Sequence, residues 1–253
     1  MALQEVGGQQ ALDDLAAALP GDWHTMLSSH EDGRGIAVGY LSREELHDQV
    51  DVVDLPAQLS GGRADDEGHL LTQMGRGALQ VRLHRDGGDV ILINCHLKSK
   101  LLSYPGGRFS PRDEDERARY GVYALNRRAA EAGAVRCHVN SVLNGDGDRA
   151  VIVLGDLNDS PDAATTQLLL GPTGSETGTR GETIPDQGDA WRLWNLAALI
   201  PEQTRYSRIY RGRGELIDHL LVSQGLPRIA GQGLRAQHRR EKSQRAARTA
   251  LHR

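Results

Sequence analysis

At 253 residues and 38% hydrophobic side chains, the chain is long enough to bury the core of one large domain, and no Pro/Ser-rich linker asks for a second. Its two cysteines make neither a disulfide framework nor a metal cluster, MALQEVGGQQ is not a signal peptide, and no run is apolar enough to span a membrane. The net charge of -4 divides into +7 for residues 228–253, with eight Lys/Arg and one acid, and -11 for residues 1–227. We therefore expect a cytoplasmic domain over 1–227, a lost upstream secretion signal being the alternative. The basic tail over 228–253 reads either as a disordered end or as a nucleic-acid arm.

The first element, Met1-Ala2-Leu3-Gln4-Glu5-Val6, reads as the end of a short strand, and Leu12, Leu15 and Leu19 at helical spacing predict a helix over 9–19 that Pro20 stops. Residues 35–41 form the next strand, 42–77 a polar loop with an irregular edge, and 78–83 a half-buried strand. A hairpin turn at Asp86-Gly87-Gly88-Asp89 leads into a strand ending Asn94-Cys95-His96. After a long loop, Ser110-Pro111-Arg112-Asp113 is expected to cap a helix whose apolar side holds Leu125, Ala129, Ala132, Val135, Val139 and Val142. Asn144-Gly145 ends it. Val151 to Leu154 then reads as a strand buried on both faces that surfaces at Gly155-Asp156-Leu157-Asn158. A short helix through Leu170 follows, then a Gly/Thr-rich loop over 171–188 that leads to Trp191–Leu196, and a last regular element over 215–223. Sheet and helix alternate with hairpin signals, so we expect a mixed α/β sheet system covered by helices. Both cysteines, Cys95 and Cys137, are expected to be buried.

Three strand ends carry polar groups out of apolar runs: Asn94 with His96, Asp156 with Asn158, and Asp218 with His219. Side chains two apart on a strand share a face, so Asn94 joins His96 and Asp156 joins Asn158. An acid, an amide and a histidine around a hard cation suit phosphate-ester hydrolysis, since Mg²⁺ takes oxygen ligands and keeps waters and substrate phosphate. Taken singly, Asp156-Leu157-Asn158 is equally a turn cap and His96 equally a structural histidine. Asp218 inside Glu215-Leu216-Ile217-Asp218-His219-Leu220-Leu221 is harder to dismiss, because a buried acid costs several kcal/mol unless paired or bound.

Taken together and in order, Leu3-Gln4-Glu5-Val6, Asn94-Cys95-His96-Leu97-Lys98-Ser99, Gly155-Asp156-Leu157-Asn158-Asp159 and Ile217-Asp218-His219-Leu220-Leu221-Val222-Ser223 resemble the endonuclease/exonuclease/phosphatase superfamily, of DNase I-like fold, over residues 1 to about 226. The resemblance implies a four-layer α/β sandwich of two packed mixed sheets flanked by helices, and Mg²⁺-dependent hydrolysis of phosphate esters, with Mn²⁺ as the alternative ion. It implies that Glu5 binds the metal, that His96 polarises the phosphate, that Asp156 orients the nucleophile, that Asn158 binds phosphate and that Asp218 orders the site. Two departures stand beside it: the family's first-strand Asn and its last-strand Ser-Asp-His are absent here. We expect a chain incomplete at both ends, prone to self-association through open sheet edges. His219 neighbours Asp218 on one strand and should point to the opposite face.

Arg205–Arg213 interleaves Arg with Tyr before the Asp218 strand. It is either a phosphate-backbone contact with stacking, through Arg208 and Arg211, or a solvated basic turn. Lys98 beside His96 adds a second basic point. The wording His96-Leu97-Lys98-Ser99-Lys100 looks more like nuclease members than lipid or inositol phosphatases. The expected substrate is a phosphate ester, with nucleic acid favoured, and the expected activity a nuclease-type phosphodiesterase. The alternative is a catalytically impaired remnant that binds metal and phosphate without turnover.

Overall fold

The computed structural model describes residues 1–175 and 186–226, so the expected basic tail lies outside the described residues. In chain order the elements are β1 (Ala2–Val6), α1 (Gln9–Ala18), β2 (His24–Leu27), β3 (Ala37–Ser42), β4 (Leu46–Asp54), β5 (Gln73–Arg85) and β6 (Gly88–His96). There follow α2 (Glu114–Leu143), β7 (Ala150–Asp156), α3 (Ala164–Leu170), β8 (Leu193–Asn195), β9 (Arg208–Tyr210), β10 (Arg213–Glu215) and β11 (Asp218–Ser223). A six-stranded mixed sheet has the order β4-β5-β6-β7-β11-β8, and a three-stranded antiparallel sheet the order β1-β3-β2. β9 and β10 form a separate ribbon.

Four layers result. Between the two sheets lie Val38, Tyr40, Leu79 and Val81, with the Tyr40 hydroxyl donating to the Leu79 carbonyl at 3.2 Å. On the other face of the large sheet, Ala132, Val135, Val139 and Leu143 of α2 share a core with Cys95, Val151, Val153 and Leu221. Each such fully buried Val or Leu contributes about 1.5–3 kcal/mol relative to exposure. On the outer face of the small sheet sits α1, whose Leu12 is buried; a Cβ on Gly39 would meet its Cδ2 at 3.4 Å.

Several expectations needed correction. Residues 42–77 hold the expected irregular edge as β4 and a loop over 55–72, but β5 begins earlier than expected, at Gln73, and β4 runs the length of the sheet edge with irregular register against β5. The cap of α2 is Asp113, not Ser110; its carboxylate accepts from the Glu116 N–H at 2.7 Å, while the Glu116 carboxylate turns back to the Arg112 N–H. Leu125 is exposed, and Arg128 occupies the buried stripe of α2 instead, because Asp159 lies opposite it at 3.1 Å. Cys137 is exposed, whereas Cys95 is buried as expected.

Asn94 sets the two sheets against each other. Fully buried, it donates to the carbonyls of Leu3 on β1 and Gly39 on β3, each at 2.9 Å, and accepts from Gln4 Nε2 at 2.7 Å. It is a clamp and not part of the rim to which its spacing from His96 pointed. By holding Leu3 it fixes where β1 delivers Glu5.

Candidate active site

Register brings three residues into a row. β6 pairs parallel with β7, placing His96 beside Asp156, and β11 pairs antiparallel with β7, placing Asp218 on its other side. Neighbouring strands lie about 4.8 Å apart, so the row spans two such spacings. The turn into it depends on Gly155, whose φ of +129° an L side chain rarely adopts; a Cβ there would stand 2.0 Å from the Cys95 carbonyl oxygen. Beyond Asp156, the Asn158 N–H donates to Asp156 Oδ1 at 2.7 Å and Asn158 itself sits at φ +52°.

The row has uneven electrostatics. His96 Nε2 and Asp156 Oδ2 are 3.5 Å apart. Burial, helped by the charges of Arg76 and Arg34, pushes the His96 imidazole down to about 3, and its Nδ1 is buried without a partner. Burial raises the Asp156 carboxyl to about 6, with Asp218 adding to the rise while the Asn158 N–H, Arg208 and Arg76 oppose it. Asp218 is exposed, so it pays no burial penalty: strand alternation sends His219 and Leu221 inward and leaves Asp218 and Leu220 outward. His219 accordingly faces away from the row, with Nε2 at 2.9 Å from the Asp159 carbonyl and Nδ1 at 3.1 Å from Asn195 Nδ2.

Glu5 reaches the site by a bulge. The register of β1 against β3 slips between Leu3 and Val6, and Glu5 lies there at φ +57° with its side chain half exposed. Its Oε1 is 3.6 Å from both Arg76 Nη2 and Arg34 Nη2. Asp32 ties these two arginines together, accepting from Arg76 Nε at 3.0 Å and from Arg34 Nη2 at 3.2 Å. Burial opposes the Asp32 charge, but the Arg34 bonds and the Arg76 charge hold its carboxyl below the usual range. Arg76, Arg34 and Asp32 were not anticipated. The available signal was Arg76 standing between Gly75 and Gly77 directly before an alternating strand, a wording that puts a long cation where the backbone turns.

The remaining expected residues take varied positions. Asn158 is buried and gives one amide N–H to the Leu97 carbonyl at 2.9 Å, which leaves its second N–H. Lys98 directs Nζ to the carbonyls of Ser99 and Leu101, and burial, with Arg127 nearby, lowers its ammonium to about 8. Arg208 donates to Glu215 across the β9–β10 ribbon, and both Arg208 and Arg211 lie 5.2 Å from the Tyr210 ring centroid. Arg211 (φ +49°) and Gly212 (φ +76°) make the two-residue turn of that ribbon. Behind the row, Asp159 collects Arg128 Nε at 3.1 Å, Thr165 Oγ1 at 2.7 Å and Lys100 Nζ at 2.8 Å. Away from these residues in sequence, Asp65, Glu67 and the exposed His69 bring ligand atoms within 4.8 Å of one another, with His69 Nδ1 already bonded to Asp65 at 2.6 Å.

A sequence profile of the Endonuclease/Exonuclease/phosphatase family matches residues 1–240. The chain belongs to that family. The family comprises endonucleases, exonucleases and phosphatases and is generally divalent-metal-dependent. A comparison with curated protein sequences gives no match. Among solved structures, the chain is similar to a beta toxin of Staphylococcus aureus at 15% identity and a TM-score of 0.50, covering 88% of this chain and 72% of the toxin. It is also similar to the human Nocturnin catalytic domain (12% identity, TM-score 0.48, 88% of this chain and 68% of that one). A third similar structure is TDP2 from Caenorhabditis elegans (16%, 0.47, 88% and 53%). The likeness to the toxin, at 15% identity, shows a shared fold alone. No helix among the described residues is long and apolar enough to cross a membrane.

Proposed function

We propose that the protein is a metal-dependent phosphodiesterase of nuclease type, with Glu5 on the metal and His96, Asp156, Asn158 and Asp218 around the scissile phosphate. The observation that carries this reading is the cross-strand row His96–Asp156–Asp218, flanked by cations that act on Asp156 from β5 (Arg76) and from β9 (Arg208). The donor set fits a hard cation. Asp156 holds its proton up to about 6 beside a second carboxylate, a pair that a cation would relieve, and Glu5 offers a half-exposed carboxylate at the same rim. Glu5 and Asp156 would hold Mg²⁺ or Mn²⁺ there, and the ion would supply neutralisation of the phosphate charge.

The chain's own groups divide the rest of the work. Asp156, ionised above about pH 6, accepts a hydrogen bond from the incoming water and orients it. His96 stays neutral near pH 7 and donates an N–H to a non-bridging oxygen. The second N–H of the Asn158 amide does the same, while Arg76 and Arg208 balance the anion from either side. Nucleic acid is the substrate this reading favours, because the Arg208–Tyr210–Arg211 ribbon pairs phosphate-binding charge with an aromatic face.

One observation favours a second reading, a phosphate-binding protein with impaired turnover. Neither rim histidine among the described residues accepts a proton near neutrality: His96 titrates at about 3 and His219 faces away. Losing a general base costs about 10²–10⁴ in rate. The experiment is hydrolysis of plasmid DNA and of a chromogenic phosphodiester with Mg²⁺ and with EDTA, beside Asp156→Ala. Mg²⁺-dependent cleavage lost on substitution supports the enzyme; no cleavage by folded protein overturns it in favour of the second reading.

A further inference from the structure

Beside the row lies a cavity of about 340 Å³ whose walls are the entry to β5, the exit of β6 and one face of α2. It is within the range of small-molecule clefts, about 300–1,000 Å³, and so has room for a nucleotide, not just a lone ion. Four cations line it, Arg34, Arg76, Lys98 and Arg127, against two acids, Asp32 and Glu131. Both acids are already neutralised: Asp32 by Arg34 and Arg76, Glu131 by Arg127 Nε at 3.1 Å. Glu131 is fully buried and builds the wall. One oxygen accepts from the Gly75 N–H at 2.9 Å and the other from the Lys98 N–H at 2.6 Å, so a single side chain of α2 fixes the strand ends that carry Arg76 and His96. A Cβ on Gly75 would come 3.0 Å from Arg127 Nη2, so the glycine leaves the Arg127 guanidinium its place in the wall.

Two further observations point to a ligand. His96, more than nine-tenths buried, lines this cavity with its Nδ1 unpartnered, and so belongs to both the row and the cavity. Phe109, the one phenylalanine of the chain, also lines the cavity and is 69% exposed, so its ring face is open to a base stacked from inside the cavity.

We propose that this cavity is a subsite for the nucleotide next to the scissile bond. Arg76 and Arg127 take its phosphate, and Phe109 stacks on its base. Resting on the reading of the preceding subsection, the assignment specifies its substrate as a single-stranded polynucleotide, one side of which lies over Phe109 and the other toward Tyr210. A phosphate monoester or a small diester would leave the cavity empty. Sequence preference is not built in, since every base presents a face to a ring and the arginines meet only backbone.

The test is binding of a fluorescein-labelled, short single-stranded oligothymidylate to the full chain, followed by anisotropy in EDTA across a salt series. Phe109→Ala, at an exposed position that does not threaten folding, is expected to weaken binding about tenfold with an unchanged salt slope. Arg127→Ala is expected to weaken it similarly and to reduce the slope of log K against log salt by about 1, as loss of one phosphate contact requires. Wild-type affinity in Phe109→Ala together with a wild-type slope in Arg127→Ala overturns the subsite. Because binding is read without metal, absence of turnover, which refutes the preceding reading, leaves this result standing.

Discussion

Substituting Asp156 by Asn should change how stability depends on pH, and the direction follows from the two coupled groups of the row. Asp156 titrates near 6 in the folded chain instead of 3.8, so between these values the folded state binds a proton that the unfolded state lacks. Its contribution is present at low pH and is lost as pH rises through that window. His96 titrates near 3 instead of 6.5, so over about pH 3–6.5 the unfolded state holds the extra proton, and this contribution grows as pH rises. Each slope is about 1.4 kcal/mol per pH unit at full strength, with opposite signs. Between about pH 4 and 6 they oppose each other, and the wild-type protein in EDTA should rise less steeply than His96 alone would dictate. Asp156→Asn leaves His96 unopposed. Asp156 would supply about 3 kcal/mol across the window, which its solvent contact, 18% of the side chain, discounts to about 1–2 kcal/mol. The mutant should therefore gain about 1–2 kcal/mol more than wild type between pH 4 and 6. Urea unfolding at several pH values, read from the midpoint at constant slope, measures it. Parallel pH profiles for the two proteins would refute the assigned environments of Asp156 and His96.

Other consequences are simpler to state. Gly155→Ala places a Cβ against the Cys95 carbonyl at a positive φ, so we expect a loss of more than about 3 kcal/mol or no soluble product; a thermal midpoint near wild type would contradict the register of β6 and β7. Arg128→Met strips the buried Asp159 of its guanidinium and should cost about 3–5 kcal/mol by chemical denaturation, with Lys100 as the one remaining cation on that carboxylate among the described residues. Of the two thiols, Cys95 is buried and pushed up to about 12, whereas Cys137 is exposed, so an Ellman titration of native protein should count one fast thiol and count two in denaturant.

Much of the site was legible in the chain because its residues sit at strand ends, where an apolar run stops and polar side chains follow at fixed spacing. Asp156, His96 and Asp218 stand out in this way, and the two-residue period already turned His219 from the face of Asp218. The same period misled at Asn94, which shares a face with His96 but lies deeper, where the second sheet covers it and makes it a clamp. Arg34 pairs with Asp32 two residues before it, but Arg76 gave no local signal of partnership. Its partners Asp32 and Glu5 lie dozens of residues away in the chain and are brought alongside only by the packing of one sheet on the other. Edge strand β4, half exposed and irregular in register, carried too little periodicity to be read as more than an irregular edge of unspecified bounds.

By itself, then, the sequence determined the identity of the strands that bear the chemistry and the side of each strand on which it lies, because alternation and hydrophobic burial are local properties of the chain. Tertiary structure alone decided which strand ends became neighbours, how burial and adjacent charge drove His96 and Asp156 to opposite ends of the acid range, and where four cations closed around a cavity. Those properties depend on distance and on exclusion of water, and neither exists until the two sheets and α2 have packed.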